Sequence, residues 1–360
     1  MPNFSESRKK NRVTLLDVAR HASVSRATAS LVIRKSPLVS SETRTKVEAA
    51  MQELGYVYNM GAARLRADRS LTIGVVIPNL INPFFTELLA GIDRIIDAAG
   101  MVVILVNSGD LVARQETLLT RMREHGVDGV ILCPAAETGM SLVERMVEWD
   151  LPLVQVLRRV SDDCDYAGVD YAFGMRQAVD HLAGLGHRDI AFALHGPVHS
   201  AYQERVDGFR EAMSARGLDP GNIIRVPTQI AAVAEAAPLF VSGPRRSSAV
   251  VCFNDVVALG LSAGLYDLGI TIGRDFSLVG FDDVADAEAM RPRLTSVATF
   301  PEAIGEGAAR LLLDRLEKPD LAPRKLVNAP RLHIRQSSAY RQVQTGDEQK
   351  MRVDVLRQGN

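Results

Sequence analysis

The strongest constraint on the fold of this chain is a series of short apolar segments that begins at residue 71 and alternates with helix-like stretches. The segments are LTIGVVIP, MVVILVN, DGVILC, PLVQV, DIAFAL, SAVVCF and FSLVGF, and turn residues bound each of them. Strands that are apolar on both faces and separated by helices are typical of parallel sheets covered on both sides. The pattern continues to about residue 340, which is longer than one domain usually is. We therefore expect an α/β body of two doubly wound parallel-sheet lobes.

A different pattern precedes this body. Thr14 and Asp17 have the spacing of a capping box at the start of a first helix. After a short turn, Ser25 can cap a second helix, and Gly55 ends a third one where a left-handed residue is favoured. Two short helices joined by a tight turn, with a third packed behind them, predict an α-helical helix-turn-helix head.

The distribution of charge separates the same two regions. The formal net charge of the whole chain is only −1, but residues 1–67 hold 12 Lys and Arg against 5 Asp and Glu. This part therefore has a net charge of +7, and the rest of the chain has −8. A compact basic head on an acidic body indicates a polyanionic partner for the head. A solvated basic tail is the alternative that charge alone leaves open.

Cysteine usage and hydropathy exclude several other classes. The three cysteines, Cys133, Cys164 and Cys252, are odd in number and far apart, so they predict neither a disulfide framework nor a CxxC site. This usage fits a reducing cytoplasm. The polar, basic start has no apolar core of a signal peptide, and no stretch approaches about 18 uninterrupted apolar residues. We therefore expect a cytoplasmic protein without a membrane span.

One long, ungapped segment carries a family resemblance: VTLLDVARHASVSRATASLVIRKSPLVSSETRTKVEAAMQELGYVYN resembles the DNA-binding head of the lactose/galactose repressor family. The body is similar to the effector domain of that family, which has the fold of periplasmic sugar-binding proteins. The resemblance implies a nucleoid-associated transcription regulator, most simply a repressor, without a cofactor. Such a regulator would bind a pseudo-palindromic operator as a homodimer, and a small polar effector such as a sugar or sugar acid would switch its affinity for that operator.

The resemblance also implies the domain organisation. It places a helix-turn-helix domain at residues 1–58, a hinge helix and linker at 59–70, an effector-binding domain at 71–340 and a tail at 341–360. The N-terminal lobe takes residues 71–168 and 298–326, and the C-terminal lobe takes 169–297 and 327–340. The tail has no sustained leucine heptad, so a dimer is favoured over a tetramer.

In such a head the second helix enters the major groove of DNA. Arg26 is placed to read a guanine through O6 and N7, although a simple phosphate contact is the alternative. The segment 59–67 is too short to be a stable helix by itself, and the resemblance makes it a hinge helix whose Leu65 wedges into the minor groove; a plain linker is the alternative. The DNA contacts implied are Thr14, Leu15, Ser25, Arg26, Ala27, Thr28, Ser30, Leu31, Asn59, Ala62 and Leu65.

Ser23 departs from many helix-turn-helix turns, which have glycine at this position. If the backbone of Ser23 is left-handed, serine costs about 1–2 kcal/mol more than glycine there. We therefore expect Ser23→Gly to stabilise the head.

Polar residues follow several predicted strands, where ligands of open α/β sheets bind. Arg205, Asn254 and Asp282 match, position by position, the residues with which the family holds sugar hydroxyls. The effector contacts predicted are Asn82, Phe84, Phe85, Asp110, Arg205, Asn254 and Asp282. Two alternatives stay open, since Asn254 can simply cap the next helix and Phe84 can belong to the core. After PLVQV the chain reads Leu157-Arg158-Arg159 where relatives often have Asp-Arg, which raises the hypothesis of an acidic effector.

Two sequence patterns suggest other chemistries, a hydrolase nucleophile and a zinc site. Gly260-Leu261-Ser262-Ala263-Gly264 matches the nucleophile elbow of hydrolases, but that elbow needs its serine directly between strand and helix, and Ser262 lies further along the predicted helix. His195 and His199 have the spacing of zinc ligands, but Pro197 lies between them and no third ligand is near. The alternatives to a regulator are a sugar-binding or hydrolytic α/β protein and an architectural DNA binder. We expect neither an enzyme nor a metal site.

Overall fold

The computed structural model describes residues 13–33, 36–56, 69–242 and 246–341. The chain divides into two compact units between Ser70 and Leu71. We call the described part of the first unit, up to residue 56, the head, and the second unit the body.

The head consists of α1 (Leu15–His21), α2 (Arg26–Ile33) and α3 (Ser41–Leu54) around a small apolar core. The capping box is confirmed, because the Thr14 hydroxyl accepts the Asp17 N–H while the Asp17 carboxylate accepts the Thr14 N–H at 2.9 Å. Ser25 Oγ accepts the Thr28 N–H at 3.0 Å at the start of α2. Gly55 ends α3 with φ 61°. The buried core residues are Val18, Ala19, Ala22, Ala29, Val32, Val47 and Ala50.

The turn between α1 and α2 contains a left-handed serine. Ser23 has φ 53°. Its N–H donates to the Arg20 carbonyl at 3.1 Å, and the next N–H, of Val24, donates to the Ala19 carbonyl at 2.9 Å. The backbone is therefore fixed in a conformation in which glycine has no Cβ penalty.

The body contains two six-stranded sheets. The first has the order β11-β5-β4-β3-β1-β2 and is parallel throughout. Its strands are β1 (Thr72–Ile77), β2 (Val102–Asn107), β3 (Gly129–Leu132), β4 (Leu153–Val156), β5 (Asp165–Val169) and β11 (Lys325–Asn328). The second has the order β12-β10-β9-β8-β6-β7, and only β12 is antiparallel to its neighbour. Its strands are β6 (Ile190–His195), β7 (Ile223–Val226), β8 (Ala249–Cys252), β9 (Ser277–Asp282), β10 (Thr295–Ala298) and β12 (Arg331–His333).

Helices cover both sheets. Those of the first lobe are α4 (Pro83–Ala98), α5 (Val112–Glu124), α6 (Ser141–Glu148) and α13 (Pro301–Glu317). Those of the second lobe are α7 (Tyr171–Gly184), α8 (Ser200–Ala215), α9 (Ile230–Glu235), α10 (Pro238–Val241), α11 (Asp255–Asp267) and α12 (Ala285–Ala289). Most strands are thus buried between helices, as the apolar segments predicted, whereas β2 and β11, at the two edges of the first sheet, are partly exposed.

The chain passes between the two sheets three times. It leaves the first sheet after β5, returns to the first lobe after β10, and passes from β11 to β12 at residues 329–330. The second and third crossings lie a few residues beyond the lobe boundaries at 297/298 and 326/327 that the resemblance implied. In the part of the chain that the structure describes, no helix is both long and apolar enough to span a bilayer.

Candidate functional site

The outer face of α2 is the candidate DNA-reading surface of the head. Ala29 and Val32 pack into the core, so the opposite side of the helix faces outward. Arg26 and Ala27 are exposed there, and among the described residues Arg26 has no ion-pair partner. An exposed arginine at the start of such a helix has its five N–H donors available for DNA.

The other predicted DNA contacts are placed differently. Thr28, Ser30 and Leu31 are half-buried on α2, and the Ser25 and Thr28 hydroxyls lie 2.8 Å apart. Thr14 is occupied by its capping box, and Leu15 packs partly against the core. Asn59, Ala62 and Leu65 lie outside the described residues.

A cavity of about 510 Å³ lies between the two lobes of the body. Asn82, Phe84, Phe85 and Asp110 reach it from the first lobe, and Arg205, Asn254 and Asp282 reach it from the second. The structure therefore brings all seven predicted effector contacts to one cavity. Most of these residues lie at the carboxyl ends of parallel strands or in the segments that follow them, which explains why they meet.

Arg205 and Asp282 form the buried centre of this cavity. Arg205 Nη2 lies 3.7 Å from Asp282 Oδ1, and both side chains are less than a tenth exposed. The guanidinium carbon is 3.9 Å from the ring centre of Tyr171 and 4.5 Å from that of Phe253. Nη1 donates to the Ala201 carbonyl at 3.1 Å, but the buried Nε has no partner among the described residues.

The Asp282 carboxyl is poised between its two protonation states. Burial raises its pKa to about 7, although the Arg205 charge and the Asn82 side chain act in the opposite direction. The nearby Glu87 carboxylate raises the pKa further. A hydroxyl group that donates a hydrogen bond to this carboxyl favours its ionised form.

A second ion pair lies across the cavity. Arg158 donates to the Asp110 carboxylate from both terminal nitrogens, Nη1 at 2.5 Å and Nη2 at 3.3 Å. Asp110 also accepts the Ala136 N–H at 2.9 Å. Arg158 lines the cavity, whereas Arg159 does not and pairs with Asp162 and Glu204 instead. The Arg158 charge is therefore compensated within the protein by Asp110.

Asn254 and Phe84 have the structural roles that the sequence left open, and both also line the cavity. Asn254 Oδ1 accepts the Val257 N–H at 3.0 Å as the cap of α11, yet the residue lines the cavity. Phe84 is 5% exposed and belongs to the core, and its ring meets that of Phe85 edge-on at 5.5 Å to form one wall.

Both the head and the body match models of known protein families. Residues 14–59 match the model for bacterial regulatory proteins of the lacI family, and residues 179–338 match a periplasmic binding protein-like domain. The transcriptional repressor PurR of Vibrio vulnificus is 31% identical over 330 residues, which cover 89% of this chain and 97% of the relative. The chain belongs to the lacI family.

Solved structures of the family agree with this assignment. The lac repressor dimer bound to operator and the anti-inducer ONPF has a TM-score of 0.81 and 26% identity, over 91% of this chain and all of that one. The regulator CelR in complex with cellobiose has a TM-score of 0.68 and 30% identity, with the same coverage. The chain is thus a helix-turn-helix DNA-binding regulator with a two-lobed α/β body. Its relatives are transcription regulators and not enzymes.

Two histidines at the cavity of this lacI-family protein were considered from sequence only as metal ligands. His195 and His199 both line the cavity, and the described residues contain no group of three His, Cys, Asp or Glu side chains suited to a metal. Burial lowers the pKa of both imidazoles, to about 2 for His199, so both are neutral. His195 lies at the end of a parallel strand, β6, and this signal could have identified it.

The hydrogen bonds of these two histidines fix their tautomers. His195 Nδ1 lies 3.0 Å from the Pro227 carbonyl and must donate to it, which leaves Nε2 as an acceptor. His199 Nδ1 accepts the Tyr202 N–H at 3.1 Å, which leaves Nε2 as a donor. The cavity therefore presents one neutral acceptor and one neutral donor, in addition to its ion pairs.

Ser262 lies in the middle of α11 and is half-buried. A nucleophile elbow requires its serine on the turn between strand and helix, and here Asn254 occupies that turn. The placement of Ser262 therefore gives no support to a hydrolase.

Proposed function

We propose that this lacI-family regulator represses transcription as a homodimer and that an uncharged, polyhydroxylated effector in the interlobe cavity switches its affinity for a pseudo-palindromic operator. The observation that carries the effector class is the internal compensation of the cavity charges. Arg158 is paired with Asp110, Arg205 lies beside Asp282, and both histidines are neutral.

The DNA-binding half of the proposal rests on α2. Arg26 and Ala27 are exposed at its beginning, where helices of this type meet base edges. The lac repressor, similar over 91% of this chain, binds its operator as a dimer. A two-fold dimer presents two such helices, so we infer an operator with two inverted half-sites about one turn of DNA apart.

The chemistry of the cavity favours a sugar or polyol. Its polar groups are amides, neutral imidazoles and two internally paired carboxylates, all of which can exchange hydrogen bonds with hydroxyl groups. Phe84, Phe85 and Phe253 supply apolar walls for the carbon skeleton. A phosphate or carboxylate would need an unpaired cation, whereas Arg158 is paired with Asp110 and Arg205 lies beside Asp282, whose negative charge develops as pH rises through about 7.

Cross-lobe hydrogen bonds suggest how the effector acts. The Arg159 N–H donates to Ser200 Oγ at 2.7 Å, and the Ala285 N–H donates to Glu87 Oε1 at 3.3 Å. An effector that bridges the lobes adds to such contacts and stabilises one lobe arrangement. We propose that this arrangement sets whether the segment at 59–70, including Leu65, can engage the operator, with a coupling of about 1–3 kcal/mol.

A thermal-shift screen tests the effector class. The panel contains neutral sugars and polyols, sugar acids, sugar phosphates and nucleobases. A ligand at about 100 times its dissociation constant adds about 2.7 kcal/mol of stability, and we expect this shift from a neutral sugar or polyol. Asp282→Asn should abolish the shift, while Asp267→Asn, at an exposed position of α11, should retain it. Stabilisation by sugar acids or phosphates alone would contradict the proposed class.

A further inference from the structure

The turn that carries Asp282 has an unusual backbone. Asp282 has φ 107° and Asp283 has φ 57°, so two consecutive residues other than glycine lie in the left-handed region. Such residues persist where the surrounding structure defines their conformation, and they concentrate at ligand sites. The contacts that hold this turn therefore control where the Asp282 carboxyl points.

Two buried side chains bind the backbone of this turn. Asp255 Oδ2 accepts the Val284 N–H at 2.9 Å, and Ser296 Oγ accepts the Asp283 N–H at 3.2 Å. Ser296 Oγ also donates to Asp255 Oδ1 at 2.6 Å, which joins the two side chains into one unit. The two N–H groups that follow Asp282 are thus both bound to this pair.

The fold reserves space for the pair outside the cavity. Ser296 is fully buried and Asp255 is 4% exposed, and neither lines the cavity. A Cβ at Gly280 would lie 2.1 Å from Asp255 Oδ1, so only glycine fits beside the carboxylate. Asp255 also follows Asn254, which means that one carboxylate links two segments that reach the cavity.

We propose that Asp255 and Ser296 are positioning residues, which fix the turn after β9 and thereby aim the Asp282 carboxyl at the effector. They touch no part of the cavity themselves and act only through Asp282. The inference rests on the proposed function, because it assigns Asp282 to effector binding.

Hydrogen exchange of the protein without any ligand tests the hold on the turn. Ser296→Ala removes the acceptor of the Asp283 N–H, and Asp255→Ala removes the acceptor of the Val284 N–H. We expect the N–H groups of Asp283 and Val284 to exchange about tenfold faster in both variants. The matched control is Ser277→Ala, at the buried opposite end of β9, where the hydroxyl bonds to His187. Unchanged exchange in both test variants would overturn the inference.

Calorimetric titration with cellobiose, D-ribose and D-glucose tests the consequence for binding. For a sugar that the wild type binds, Ser296→Ala should lower the affinity about tenfold, while Ser277→Ala should leave the affinity within twofold of the wild-type value. In an Asp282→Asn background, measured at millimolar sugar, Ser296→Ala should cause no further loss, since it acts through Asp282. A further tenfold loss there would identify a merely structural role and overturn the inference.

The two proposals fail in distinguishable ways. If none of the three sugars binds the wild type, the proposed effector class loses its support, and the hydrogen exchange alone decides whether the pair holds the turn. If a sugar binds and only Asp282→Asn weakens it, the proposed function stands and the positioning role is refuted.

Discussion

The protonation of Asp282 predicts that effector affinity depends on pH around neutrality. Burial raises the pKa of this carboxyl to about 7 in the effector-free protein. An effector hydroxyl that donates to the carboxyl prefers the ionised form, so binding should release a proton. With a pKa of about 7, roughly a tenth of the molecules are ionised at pH 6 and roughly nine tenths at pH 8. Affinity should therefore increase about tenfold between these two values.

Other groups of the cavity do not produce the same trend. Burial lowers the pKa of His199 to about 2, so this imidazole stays neutral throughout the interval, and burial also lowers the pKa of His195. Burial raises the pKa of Glu87, which accepts the Ala285 N–H, and this carboxyl is the neighbour most able to contribute. For the free protein the sign is opposite, because a carboxyl with a raised folded-state pKa favours folding at low pH and loses that contribution as pH rises through about 7.

The assay is isothermal titration calorimetry with the neutral sugar or polyol found in the screen, at pH 6, 7 and 8 in buffers of different ionisation enthalpy. The buffer dependence counts the protons released at each pH. Asp282→Asn should bind weakly and with no pH dependence over this interval. Glu87→Gln removes a charge that raises the Asp282 pKa, so its affinity should still increase with pH, with the increase shifted to lower pH. A flat profile in the wild type, or affinity that falls as pH rises, would refute the assigned role of the Asp282 carboxyl.

Three further predictions concern single residues. Ser23→Gly should stabilise the head by about 0.5–1 kcal/mol, because relief of the left-handed strain exceeds the entropic cost of glycine. Slower hydrogen exchange of the α1 amides would confirm this stabilisation, and faster exchange would contradict it. Arg26→Ala should relax selectivity at one operator base pair at a cost of about 1–3 kcal/mol, measured by binding to a library of single-base operator variants; uniform weakening would indicate a phosphate contact instead. Arg205→Lys should reduce effector affinity at least tenfold in calorimetry, since an ammonium group cannot reproduce a planar fork stacked on Tyr171 and Phe253; unchanged affinity would contradict a role of the guanidinium in effector binding.

The parts of the fold that sequence predicted have local causes. Thr14 and Asp17 are three residues apart, so their capping box can be read directly, and the same holds for Ser25 and Gly55. The seven strands predicted in the body are short apolar runs with turn residues on both sides. These signals need no knowledge of the distant parts of the chain.

The strands that sequence missed lack this signal. They are β5, β7, β10, β11 and β12. In β10 the buried Thr295 and Ser296 are polar because Ser338 and Asp255 provide their hydrogen-bond partners. In β11, at the edge of its sheet, Leu326 and the residues beside it are exposed, so no apolar run marks the strand.

The candidate site shows the same division. Residues at strand ends were predictable, but the pairing of Asp110 with Arg158 joins positions 48 residues apart and appears only in the folded chain. That pairing supports our proposal of a neutral effector over an acidic one. The cage of Tyr171 and Phe253 around Arg205 likewise depends on three separate elements meeting.

In the proposed mechanism, effector binding and operator binding are energetically coupled within the same protein. One measurement tests this coupling directly. The dissociation constant of the effector is measured by calorimetry with the free protein and again with the protein saturated by operator duplex. Linkage requires that operator changes effector affinity by the same factor by which effector changes operator affinity, and a factor of about 5 to 150 is typical. We predict such a reciprocal change. Identical effector affinities with and without operator would contradict the account.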